Sequence, residues 1–138
     1  MTFAVMFEPE LPDHGAVAPP GKVSWTVAFD AADGQPDYDL RYIINGKVVG
    51  YWPASLATLL GDLLGELDAL QRGGAHNVSM SGYTVLSADL VGENVTFRDP
   101  GRPGELVGTV PVTDVRSALE NASAKLWAHL QASTSATT

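Results

Sequence analysis

The sequence predicts an α+β domain: a mainly antiparallel sheet of about six to eight strands with two helices on one face. Three observations predict it. Short runs alternate apolar and polar residues, an Asn-Gly pair joins two of them, and two longer stretches repeat their apolar residues at helical spacing. With 138 residues and 45% hydrophobic composition, the chain fits one compact unit, expected over residues 1–131. Cysteine is absent, which excludes a disulfide-built scaffold and thiolate metal sites.

Residues 1–7 are apolar enough to add an edge strand. Residues 8–21 hold Pro9, Pro12, Pro19 and Pro20 and read as a surface tether. Val23, Trp25, Val27 and Phe29 alternate with smaller or polar residues, so residues 22–30 are expected as a strand with one buried face. Asp33-Gly34-Gln35-Pro36 supplies a turn. Tyr38–Ile44 and residues 47–52 then flank Asn45-Gly46, the pair that suits a type I′ hairpin turn.

Leu56, Leu59, Leu60, Leu63, Leu64, Leu67 and Leu70 fall on one stripe, which predicts a helix over about residues 54–72. Pro53 suits its first turn, and Gly73-Gly74 is the expected stop. The period returns to two over residues 77–81, 83–91, 95–98 and 105–110. Gly92-Glu93-Asn94 makes one turn, and the Pro- and Gly-rich residues 99–104 make a loop. A second helix over about 113–131 is predicted from Thr113 as N-cap and the stripe Val115, Ala118, Leu119, Ala122, Leu126, Leu130. Residues 132–138 are small and polar and are expected to fray.

Residues 46–55 align with residues 104–113 at an offset of 58, matching Gly, Val, Gly and Pro, with Ser55 over Thr113. Two explanations stand: duplication of a strand-strand-helix unit, or independent use of Gly and Pro at strand-to-helix corners.

Charge is the unusual feature of the composition. The net charge is −8, and residues 1–40 carry Glu8, Glu10, Asp13, Asp30, Asp33, Asp37 and Asp39 against Lys22 alone. Such a field repels phosphate backbones, so a nucleic-acid partner is not expected. No run is long enough to span a membrane, and residues 1–10 lack the cation and apolar stretch of a signal peptide. A cytoplasmic protein is expected, and its three Asn-x-Ser/Thr sequons then carry no meaning.

Catalytic patterns fail in turn. There is no P-loop, dinucleotide fingerprint, nucleophile elbow or zinc-protease motif. His14, His76 and His129 are far apart in sequence, and His129 is explained as a cation favoured at a helix C-terminus. Residues 30–39 depart from the spacing of a calcium loop. Asp37 and Asp39 as a glycosidase pair would need a groove lined by sugar-stacking aromatics. No enzyme, cofactor or metal is expected. Trp25, Tyr51, Trp52 and Trp127 are read as core filling, and Gly61 and Gly65 as a close approach of another element to the first helix.

The acidic, cysteine-free α+β build over roughly residues 22–130 resembles the immunity proteins that bacteria produce against secreted toxins, and small inhibitors of similar architecture. That resemblance implies a non-catalytic module whose acidic surface occludes a basic protein partner, often a nuclease. The residues it would use are Asp30, Asp33, Asp37 and Asp39, with Tyr38 as aromatic anchor. Two other classes stay open. One is a small-molecule module or minor enzyme with a pocket between the leucine-rich helix and the sheet. The other is a structural component, or a homodimer, that self-associates through an exposed strand such as residues 95–98 or 1–7.

Overall fold

A computed structural model describes residues 2–102 and 105–136. Its elements run β1 (Phe3–Glu8), α1 (Trp25–Ala32), β2 (Tyr38–Ile44), β3 (Lys47–Ala54), α2 (Leu56–Arg72), β4 (Gly74–Met80), β5 (Tyr83–Val91), β6 (Asn94–Arg98), β7 (Leu106–Pro111) and α3 (Val112–Ala136). The α+β class and the antiparallel pairing are as expected, but the strands divide into two sheets. One has the order β1-β2-β3 and the other β4-β5-β6-β7.

The division follows from the chain's course. The β2–β3 hairpin forms at Asn45-Gly46, where φ is positive at both residues, and β1 returns to pair with β2 rather than with a later strand. After β3 the chain enters α2, and a new meander starts at β4. Alternation then fixes the inner faces. Phe3, Val5 and Phe7 share a face with Leu40, Tyr42 and Ile44, and the second sheet turns Val78, Leu86, Ala88, Val95, Phe97 and Val110 inward.

Glycines bring the two sheets together. A Cβ on Gly50 of β3 would lie 3.3 Å from Val85 Cγ2, and one on Gly108 of β7 would lie 2.8 Å from Ile44 Cγ2. Gly50 and Gly108 are the matched second glycines of the 58-residue offset, so each repeat-like segment gives up a side chain where it meets the opposite sheet. Phe3 stacks on Phe97 at 5.6 Å between centroids in the same seam. Gly104, the first glycine of the second segment, lies outside the described residues.

α2 and α3 pack side by side against the sheets, and α1 rests on both of them. α2 begins at Leu56, where its apolar stripe begins, two residues later than the expected start: β3 runs through Pro53 to Ala54, and the Ser55 hydroxyl accepts the Thr58 N–H as N-cap. It ends at Gly73, with φ of +77°, and β4 follows at once. Leu56, Leu59, Leu60 and Leu63 are fully buried, so the space between this helix and the sheets is filled. α3 keeps the expected stripe and adds Trp127 to the core. It starts at Val112, directly after β7, and continues to Ala136 through residues expected to fray; Thr137 and Thr138 lie outside the described residues.

One element is of the other kind. The expected strand at residues 22–30 is largely helix α1, and the helices number three rather than two. The apolar alternation there is real but faces outward: Trp25, Val27 and Phe29 are exposed, at 40%, 46% and 51%, while Ala28 and Ala32 are buried. Small residues at i and i+4 let α1 lie close on the other helices, and that contact outweighs the period-two pattern. Trp25 folds over Gly61 of α2, whose Cβ would stand 3.6 Å from the indole, and Gly65 faces open space. The tether is pinned along α3 by the Val17 N–H donating to the Ala124 carbonyl at 3.1 Å.

Candidate acidic docking surface

The carboxylates of the first forty residues sit on segments that the fold brings together. β1 ends at Glu8 and β2 begins just after Asp37, and their register sets Glu8 directly opposite Asp39. Even-numbered residues of β1 and odd-numbered residues of β2 share the outer face, so two like charges oppose each other across a strand pair. Asp39 is half-buried and takes the Arg41 Nη2 at 3.4 Å; the same guanidinium lies over the Tyr51 ring at 5.5 Å. Glu8, Glu10 and Asp37 are exposed around this pair.

Asp30 and Asp33 belong to α1, Asp30 in its last turn and Asp33 at its C-cap. The last turn holds no basic residue. Negative charge is disfavoured at that end of a helix, where the peptide dipole is itself negative. Neither carboxylate supports the helix that carries it.

Histidine contacts join the remaining piece. His14 stacks on His129 of α3 at 5.2 Å, and the His129 Nε2–H donates to Gln35 Oε1 at 2.8 Å. The Gln35 amide is oriented by its own Nε2, which donates to the Ala31 carbonyl and to Ser133 Oγ. These bonds fix the residue 33–37 loop and the stretch around Asp13 and His14 to the same part of α3. His129 therefore does not serve as a helix-terminal cation. It lies seven residues before Ala136, is buried, and its pKa is pushed below the ordinary value of 6.5, first by burial and then by the neighbouring His14.

Of the five residues singled out from sequence, Asp30, Asp33 and Asp37 are exposed, Asp39 is half-buried against Arg41, and Tyr38 is only 7% exposed. The Tyr38 ring is part of the inner face of the first sheet. Phe29, beside Asp30, and Tyr51, under the Arg41 guanidinium, are exposed aromatic side chains of this region. Reading residues 25–32 as helical would have found Phe29, since the two buried alanines are four apart.

Titratable groups also gather away from this surface. The Glu66 Oε2 and His76 Nε2 atoms of α2 and β4 lie 3.0 Å apart, and the Ser81 N–H donates to Asp62 Oδ2 at 3.0 Å. Burial raises the Asp62 pKa, opposed by the Ser81 bond and reinforced by Glu66; burial raises that of Tyr42, with Glu66 and Asp62 adding to it. Tyr42 is 1% exposed and Glu66 6%. The cluster lies under α2, with Tyr42 and Glu66 buried and Asp62 and His76 half-buried at its margin. Among the described residues no group of three or more His, Asp or Glu could hold a metal ion, and no helix is long and apolar enough to cross a membrane.

Comparison of the chain with protein-family models, with curated proteins and with solved structures returns no match.

Proposed function

We propose that the protein is a non-catalytic binding module of the immunity or inhibitor kind, docking a basic protein partner on the surface formed by Asp30, Asp33, Asp37 and Asp39. One observation carries the reading: like charges are set where local structure disfavours them, with the Arg41 contact to Asp39 as the counterweight. Asp30 and Asp33 crowd the negative end of α1, and Asp39 faces Glu8 across the strand pair. Charges kept against local stability are characteristic of binding surfaces. Exposed Phe29 and Val27 lie beside them as apolar contacts, in the role the sequence reading gave to Tyr38.

The test is affinity capture from the source organism with the wild-type chain and with the Asp30→Asn, Asp33→Asn, Asp37→Asn, Asp39→Asn variant. The wild type should retain a partner with excess Lys and Arg, at low salt far better than at high salt, and the variant should lose it. Equal retention by both chains contradicts the reading.

A further inference from the structure

All six residues of β1 line one groove of about 600 Å3, although their side chains alternate between the two faces of the sheet. A groove reached from both faces runs along the edge of the strand, where the main chain lies. Its far wall is one side of α3, formed by Ala118, Asn121, Ala122 and Lys125 at helical spacing. Residues 10–13 and Gly15 of the tether complete its lining.

Ladder parity decides which groups face the groove. The Asn45 N–H donates to the Thr2 carbonyl at 3.1 Å, and Phe3 lies opposite Ile44. Bonded and non-bonded positions alternate in an antiparallel pair. Ala4, Met6 and Glu8 therefore bond to β2, and Phe3, Val5 and Phe7 direct their N–H and C=O groups the other way, into the groove.

β1 is also the edge strand whose own sequence and register carry the least protection, although α3 and the tether flank it. β3 carries Pro53 and a register shift, β7 carries Pro111 and a register shift, and β4 opens on Gly74 and pairs irregularly at Val78/Ser79. β1 pairs with β2 in unbroken register, and its sequence FAVMFE contains no Pro, Gly, Lys or Arg. Strand edges without such protection recruit another strand.

We propose that β1 is the docking edge for an extended, cationic segment of the protein partner, which joins the first sheet as a fourth strand. The proposal rests on the acidic-surface reading above and names the part of the partner that it receives. Charge sets the chemistry of the occupant: Glu8, Glu10 and Asp13 line the groove against Lys125 alone. On the inner face the added strand would run beside Phe3, Val5 and Phe7 and meet Ala118 and Ala122, which suits β-branched apolar residues. On the outer face it would run beside Ala4, Met6 and Glu8, which suits Lys or Arg, with the stem over Met6 and the head at Glu8. Six residues of strand give ~20 Å of edge, enough for a segment of about six residues.

The experiment titrates the 15N-labelled full chain with a blocked heptapeptide of alternating Val and Lys. Two control peptides accompany it, one with Glu for Lys and one N-methylated at alternate residues. The Phe3, Val5 and Phe7 amides should shift and exchange with solvent at least tenfold more slowly, while Ala4 and Met6 change little. Both controls should bind at least tenfold more weakly. Val5→Pro removes an outward N–H without removing a bond to β2, and should weaken binding at least tenfold with the amide spectrum of β2 and β3 retained. If that variant does not fold, the N-methylated peptide makes the same test from the other side, and its binding as well as the parent overturns the proposal. Shifts confined to Asp30, Asp33 and Asp37 overturn the strand-addition proposal and leave the acidic surface standing. Shifts nowhere overturn the strand-addition proposal alone, since the acidic surface stands or falls by the capture experiment. β1 amides that become protected in the free chain as its concentration rises mark pairing with a second copy and overturn the proposal as well.

Discussion

Gly50 and Gly108 do the same job at different tightness, and the difference is measurable. A methyl on Gly108 would meet a β-branched, buried Ile44 at 2.8 Å, and Ile44 has no free rotation with which to yield. Gly108→Ala should therefore destabilise the fold by about 1–3 kcal/mol, as overpacking does. Gly50→Ala meets Val85 at 3.3 Å, and the lower chain entropy of the unfolded state offsets part of the strain. Its expected cost is below about 1 kcal/mol, and chemical denaturation of the two variants orders them. His129 makes a second residue-scale prediction, with a definite sign. Its folded-state pKa is depressed, so between that value and 6.5 the unfolded chain binds a proton that the folded chain refuses. Its contribution is complete above pH 6.5 and is lost as the pH falls below it. His129→Gln keeps a donor for Gln35 and should flatten the wild-type loss of stability as the pH falls below 6.5; an unchanged slope contradicts the assignment.

At the scale of elements, the hairpin at Asn45-Gly46, the α2 stripe, the β5–β6 turn and the α3 stripe were legible, because each is decided by residues adjacent in sequence. α1 was not. Its alternation of Val23, Trp25, Val27 and Phe29 imitates a strand, and only the arrival of α2 and α3 under Ala28 and Ala32 decides for a helix. The division into two sheets was hidden for the same reason, since β1 could pair with any later strand and the choice of β2 is tertiary. The candidate site was half legible: the aspartates follow from charge counting, but the opposition of Glu8 to Asp39 needs the register, and the exchange of Tyr38 for Phe29 follows from the misread helix. That misreading gives a sharp test. Ala28→Leu should cost about 1–3 kcal/mol by overpacking against the helices, and Phe29→Ser, at an exposed position, should change stability by no more than about 0.5 kcal/mol. A strand with Phe29 buried would reverse the order.

At the scale of the whole molecule, seven carboxylates and one lysine in the first forty residues are distributed over β1, the tether, α1 and the start of β2; the register sets Glu8 against Asp39, and the segments around Asp13 and between Asp33 and Asp37 meet at His129 of α3. The outer face of the second sheet has another character: Asn77, Ser87, Thr96 and Thr109 lie there with one acid, Asp89, and one base, Arg98. Under the proposed function, an electronegative surface would steer a basic partner from beyond contact distance, within a Debye length of about 8 Å at physiological salt. Association should then depend on charge more than dissociation does. The most direct measurement is the association rate constant with the captured partner across a series of ionic strengths, for the wild-type chain and the four-aspartate variant. The wild-type rate should fall steeply as salt rises, and the variant should start at least tenfold slower and fall much less. Equal rates with equal salt slopes would contradict the account.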